Sequence, residues 1–142
     1  MKRVLIVGGG VIGTMHAVLA AEKGFAVTHL ERDLKPQSAS VRNFGLIWVS
    51  GRLAGVELDL ALRARELWGS IGAKAEIGFR ANGSLTVAQS DAEYTVIQEA
   101  ASLPDADRRG FKVLDRNQTI ALEPQLAGKY VGSVAMHNRC CR

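Results

Sequence analysis

Three glycines and one carboxylate in the first 31 residues carry the clearest chemical pattern in the chain. Gly8-x-Gly10-x-x-Gly13 follows an apolar run and opens a helical one, and Glu31 lies about 20 residues on, at the end of a second apolar run. Each position has a physical task. Gly8 permits a tight turn, Gly10 lets an anion approach the backbone, and Gly13 lets a helix pack close to a strand. Val11 and Ile12 lie between them, where a helix N-terminus presents free N–H groups and the positive end of its dipole. A carboxylate at position 31 can accept hydrogen bonds from both hydroxyls of an adenosine ribose and would repel a 2′-phosphate. The pattern therefore suits the pyrophosphate and ribose of an adenine dinucleotide other than NADP, despite the neighbouring Arg32.

Such a site needs a strand, a helix and a second strand to hold it. Residues 3–7 (RVLIV) read as a strand buried on both faces. Residues 12–23 read as a helix that Gly24 ends, and 25–30 (FAVTHL) as the second strand. This is a βαβ unit. A loop follows at 33–40, with Pro36 and two serines. Residues 41–51 read as a short helix or turn and then an extended piece. A long helix is expected over 53–75, with Val56, Leu60, Ala64, Leu67 and Ile71 as its apolar stripe. Residues 77–80 and 84–89 flank Asn82-Gly83, a strong hairpin signal. Ser90 with Glu93 predicts a capping box for a helix over 91–103. A polar loop at 104–110, a strand at 112–114, a short helix capped by Asp115 and ending before Pro124, and a strand at 130–136 complete the order. No internal repeat or low-complexity segment is present.

The rest of the composition excludes more than it suggests. Of 142 residues, 47% are hydrophobic and 23% charged, as in an ordinary globular domain. The net charge of +4 comes from 18 basic and 14 acidic residues that are scattered rather than clustered, so no nucleic-acid partner is inferred. Lys2 and Arg3 ahead of the mostly apolar stretch 4–21 imitate a signal sequence, but Gly8, Gly9, Gly10, Gly13 and His16 interrupt it. No membrane association is inferred. Cys140 and Cys141 are adjacent and give neither a disulfide framework nor zinc spacing, so no metal is expected; sparse cysteine fits a reducing cytoplasm. His16, His29 and His137 fall on separate elements and read as structural or incidental.

The stretch after Glu31 separates two kinds of dinucleotide protein. A nicotinamide dehydrogenase would continue with another helix and parallel strand, whereas this chain turns into a Ser/Arg/Asn/Gly segment. Here the sequence resembles the FAD-dependent oxidoreductases of the D-amino-acid oxidase type, which include glycine and sarcosine oxidases. The resemblance is carried by VLIVGGGVIG, the strand ending in LER, ASVRNFG, RELWGSIG, FRANGSLTV and the LEP at Pro124. ASVRNFGLIW is also similar to a branch associated with breakdown of aminophosphonates.

The resemblance implies FAD as cofactor. Gly8, Gly10 and Gly13, with Val11 and Ile12, would contact its pyrophosphate. Glu31 would hold the adenosine ribose, with Arg32 beside it. Ser40, Asn43, Phe44 and Gly45 would lie on the segment running toward the flavin ring, and Trp48 would approach the substrate side or serve as a core aromatic. The implied reaction is oxidation of a small amine or amino acid-like substrate, with hydride passing to the flavin and peroxide formed on reoxidation. No catalytic residue is assigned.

The fold class expected is α/β: a Rossmann-like FAD-binding βαβ unit at 1–50, followed by an incomplete α+β substrate-domain portion at 51–142. The late glycine-rich loop and the basic group that holds the substrate anion in this family are not found here. The closing HNRCCR also reads as abrupt, as a frameshift or premature stop would make it. Expected accordingly are a missing C-terminal half, weak FAD retention, little turnover and poor solubility. The alternatives are a non-catalytic, truncated nucleotide-binding remnant and an NAD-binding module.

Overall fold

The computed structural model describes residues 1–128 and 130–136, which fall into two compact units, Met1–Leu46 and Ile47–Arg142. His137, Cys140 and Cys141 lie outside the described residues.

The first unit is a βαβ turn. Strand β1 (Arg3–Val7), helix α1 (Val11–Glu22) and strand β2 (Ala26–Leu30) follow in order, and the two strands pair in parallel from Arg3↔Ala26 to Val7↔Leu30. Helix α1 ends in a Schellman motif. Gly24 N–H donates to Ala21 O at 2.9 Å, and Phe25 N–H to Ala20 O at 3.1 Å. Gly24 adopts φ +77°, the left-handed conformation that its place after the last helical turn requires. Strand β1 departs from expectation: it alternates exposed and half-buried residues instead of being buried on both faces. A pair of strands with one crossover helix supplies cover for only part of the sheet, so Leu5 and Val7 remain exposed. Residues 41–51 begin as a turn, one of the two readings for this stretch, and continue as irregular backbone.

The second unit is a three-stranded antiparallel sheet with helices. Its elements are α2 (Val56–Lys74), β3 (Ser84–Ala88), α3 (Asp91–Ala101), α4 (Ala106–Arg109), β4 (Phe111–Asp115), α5 (Arg116–Leu122) and β5 (Gly132–Met136), with a 3₁₀ turn at Pro124–Leu126. The last strand takes the central place, in the order β3-β5-β4. Its sequence, GSVAM, has small or apolar side chains throughout and is buried along its whole length. On one face, Met136 packs with Val49 and Leu58, and Val134 with Ala88 and Ile97; Phe111 lies against both clusters. On the other, Ser133 shares a buried 2.8 Å hydrogen bond with Thr119 of α5.

Both helix caps expected in this unit form. Asp115 accepts from Gln118 N–H at 2.8 Å, and the Gln118 side chain accepts from Asp115 N–H at 3.1 Å, a full capping box. Ser90 accepts from Glu93 N–H, but the Glu93 carboxylate takes Gln89 N–H in place of the Ser90 N–H.

Three expectations are corrected. The hairpin at Asn82-Gly83 does not form, because residues 77–80 are not a strand and β3 pairs with β5. A type I′ turn needs positive φ at both central residues; Gly83 has it at +75°, but among the described residues no non-glycine does. Helix α2 buries Leu58 and packs Ala61 and Leu62 beside it, not the stripe expected, of which Val56 and Leu60 stay 75% and 66% exposed. The stretch 104–110, expected as loop, contains α4.

Candidate functional site

The glycine turn closes over the end of β2. Gly8, at φ +110°, donates its N–H to Leu30 O at 2.7 Å and accepts at its carbonyl a hydrogen bond from His29 Nε2 at 2.7 Å. A Cβ at Gly13 would fall 1.9 Å from Gly8 O, so only glycine lets α1 start this close to the turn. Thr14 N–H makes the first intrahelical bond, to Gly10 O at 2.9 Å. The N–H groups of Val11, Ile12 and Gly13 therefore have no partner within the helix. Ser40 Oγ accepts the Val11 N–H at 3.1 Å, which leaves Ile12 and Gly13 with donors available to an anion.

Glu31 is joined directly to this turn. Its Oε2 accepts the Gly9 N–H, and its Oε1 accepts the Asp33 N–H at 3.1 Å. The Gly9 N–H, then that of Asp33, holds the carboxyl below the usual carboxylate range. An ionised carboxylate has about four acceptor sites. Two are taken here, so capacity remains for two further donors such as the vicinal hydroxyls of a ribose.

Ser40 comes to the same place by another route. Its Oγ lies 3.0 Å from where a Gly10 Cβ would stand. Thus Gly8, Gly10, Val11, Ile12, Gly13, Glu31 and Ser40 form one constellation. Arg32 points out, 87% exposed at its side chain, beside Asp33 at 3.6 Å. Asn43 Oδ1 accepts from Gly45 N–H at 3.0 Å, a local turn in which Gly45 has φ +69°. Phe44 is almost fully exposed. Trp48 belongs to the second unit, with its ring over Gly51.

The sequence pattern alone makes His29 structural or incidental, and its bond to Gly8 O gives it a definite place under the turn. The available signal was its position on a short strand that delivers a carboxylate two residues later. Among the described residues, no group of three or more His, Cys, Asp or Glu side chains could hold a metal ion. Among them too, no helix is long and apolar enough to cross a membrane.

The comparisons with known proteins bear on this geometry. A family model described as FAD dependent oxidoreductase matches residues 3–141. The chain belongs to that family. FAD is the cofactor in the family's description, and the donors and free carboxylate capacity of the first unit suit the phosphates and ribose of its adenosine half. One of the subunits of the opine oxidase of Rhizobium meliloti is 31% identical over 91% of this chain and 38% of that protein. The glycine oxidase of Bacillus cereus matches at a TM-score of 0.80 and 25% identity, over 96% of this chain and 39% of its own. L-alpha-glycerophosphate oxidase from Mycoplasma pneumoniae, solved with FAD bound, shares the fold at a TM-score of 0.66 and 20% identity, over 96% of this chain and 38% of its own. The chain thus spans about two-fifths of the length of these relatives.

Proposed function

We propose that this chain is the N-terminal portion of an FAD-dependent oxidoreductase that oxidises a small amine or amino acid-like substrate. The single observation that carries this reading is the joining of Glu31 to the Gly8–Gly13 turn inside a family match over residues 3–141. The similarity to one chain of an opine oxidase and to a glycine oxidase supports an amine substrate.

In this reading the turn of Gly8, Gly10 and Gly13, with Val11 and Ile12, cradles the pyrophosphate, and the free N–H groups of Ile12 and Gly13 donate to it. Glu31 holds the ribose, with Arg32 beside it. Ser40, Asn43, Phe44 and Gly45 line the path from the pyrophosphate toward the flavin ring, and Trp48 stands on the substrate side. FAD bound there would supply the acceptor for a hydride from the carbon beside the substrate nitrogen, with oxygen as the final oxidant, reduced to hydrogen peroxide. The protein's part is binding, orientation and exclusion of competing reactions. Residues 1–50 belong to the cofactor domain and 51–142 to the start of the substrate domain. The substrate-anion group and the remainder of the flavin site belong to the C-terminal portion present in the longer relatives. The protein acts in the cytoplasm, without membrane or nucleic-acid partners.

Purified 142-residue chain, incubated with FAD and then desalted, tests the reading. We expect weak, sub-stoichiometric flavin retention and no peroxide with glycine or simple N-alkyl amino acids. Stoichiometric flavin with peroxide production would overturn the claim that the remaining portion is needed.

A further inference from the structure

Arg109 is the most fully hydrogen-bonded charged side chain among the described residues of the second unit. Arg109 ends the short helix α4 and is only 5% exposed. Its Nε and Nη2 donate to Asp105 Oδ2 one helical turn back. Its Nη1 points to three carbonyls of one loop: Val49 O at 3.4 Å, Ser50 O at 2.9 Å and Arg52 O at 2.7 Å. A guanidinium is planar, always charged and rich in donors, which suits it to gather several acceptors at once. Lysine has neither the planar fork nor the number of donors.

That loop is otherwise short of regular structure, yet it is tied at both ends. Val49 is fully buried in the cluster with Leu58 and Met136. Arg52 Nε donates to Trp48 O at 3.3 Å, its Nη1 pairs with Glu57 at 3.2 Å, and its guanidinium carbon lies 5.7 Å from the centroid of the Trp48 ring. The ring also lies so close to Gly51 that a Cβ there would come within 2.4 Å of it. Trp48 is thus in contact with both Gly51 and Arg52, while the residue as a whole remains 50% exposed.

We propose that Arg109, braced by Asp105, is a positioning residue that fixes the 49–52 loop and so presents the Trp48 ring in one orientation to the substrate side. The substrate-side consequence rests on the proposed oxidoreductase reading; the positioning itself does not. A side chain that must meet a ligand in a set geometry is held by neighbours whose own conformations are locked, and a buried ion pair beneath an irregular loop supplies that lock. A rim aromatic on a free loop would need none of it.

Trp48 and Trp68 are the chain's two tryptophans, so each can report alone. In a Trp68→Phe background, acrylamide quenching and emission anisotropy follow Trp48; in a Trp48→Phe background they follow Trp68 on α2. We expect Arg109→Met to raise Trp48 quenching roughly twofold and lower its anisotropy, as a held ring becomes a mobile one, while Trp68 is unchanged. Arg109→Lys should fail to rescue, and Asp105→Asn should give a smaller change in the same direction, which keeps the test open if Arg109→Met does not fold. An unchanged Trp48 signal in both Arg109→Met and Asp105→Asn overturns the proposal. So does an equal response of Trp48 and Trp68, which would make Arg109 a general fold support. Neither result depends on flavin binding, so failure here is distinguishable from failure of the functional reading.

Discussion

The Glu31 carboxylate accepts the backbone N–H of Gly9, linking the end of β2 to the glycine turn between β1 and α1. The same side chain therefore shapes the turn and offers its remaining lone pairs outward. We predict that Glu31→Ala lowers FAD affinity more than Arg32→Ala does, because the first change removes both the ribose acceptor and the brace on Gly9. Arg32 is exposed beside Asp33. Fluorescence titration of FAD against both variants checks this; equal losses would contradict it.

The geometry of Gly13 gives a sharper steric prediction. A Cβ there would stand 1.9 Å from Gly8 O, so the start of α1 must move away from the turn. Gly13→Ala should weaken dinucleotide binding by at least roughly tenfold, about 1.4 kcal/mol. The comparison is Gly24→Ala, a strained change at φ +77° in the opposite, C-terminal turn of α1. That variant should lose stability while keeping more of its affinity.

In the second unit, two buried contacts should set stability. Leu58 is fully enclosed, and Leu58→Ala should cost about 2–5 kcal/mol in chemical unfolding. Thr119 Oγ1 donates to Asp115 O at 2.7 Å and lies 2.8 Å from Ser133 Oγ. Thr119→Val leaves the buried Ser133 hydroxyl without that partner and should cost about 1–3 kcal/mol, with Thr119→Ser much milder. Leu60→Ala, on the exposed side of α2, should change little.

Acid should act on the second unit through the Arg109–Asp105 ion pair. The Arg109 side chain, bonded to Asp105, holds that carboxyl below its ordinary value of 3.8, with the Arg109 and Arg108 charges adding to the effect. A depressed folded-state value means that the unfolded chain takes up the proton first. The stabilisation is present in full above about pH 4 and is lost as pH falls through the folded value. Unfolding followed by Trp48 fluorescence should show a loss of stability below pH 4 that Asp105→Asn reduces. Glu31, lowered from 4.5 mainly by the Gly9 N–H, predicts the same sign for the first unit.

The parts of the fold that follow from local chemistry were legible in the sequence. The order strand, glycine turn, helix, strand and acid at 3–31 is a chain of short-range signals, and Gly24, Ser90 and Asp115 each act within a few residues of themselves. What depends on distant partners was not legible. The Asn82-Gly83 signal is local, but β3 pairs with a strand nearly fifty residues on. Helix α2 carries two apolar stripes, and its spacing alone cannot say which one meets the sheet. The place of Arg109 was hidden because arginine is ordinarily a surface residue. Its signals were an Asp at i−4 and a following Gly110, which could have suggested α4 without revealing the loop it holds. Ser40 enters through the family resemblance, and its bond to Val11 N–H could not have been read from spacing.

The Gly8–Gly13 turn and Glu31 should together bind the adenosine half of FAD. Competition on the 142-residue chain tests it most directly, with FAD fluorescence as the signal and ADP, FMN and NADP as competitors. Saturable FAD binding that ADP displaces and FMN does not is expected, with NADP weaker because Glu31 opposes a 2′-phosphate. Displacement by FMN but not by ADP, or no difference between wild type and Gly13→Ala, would contradict it.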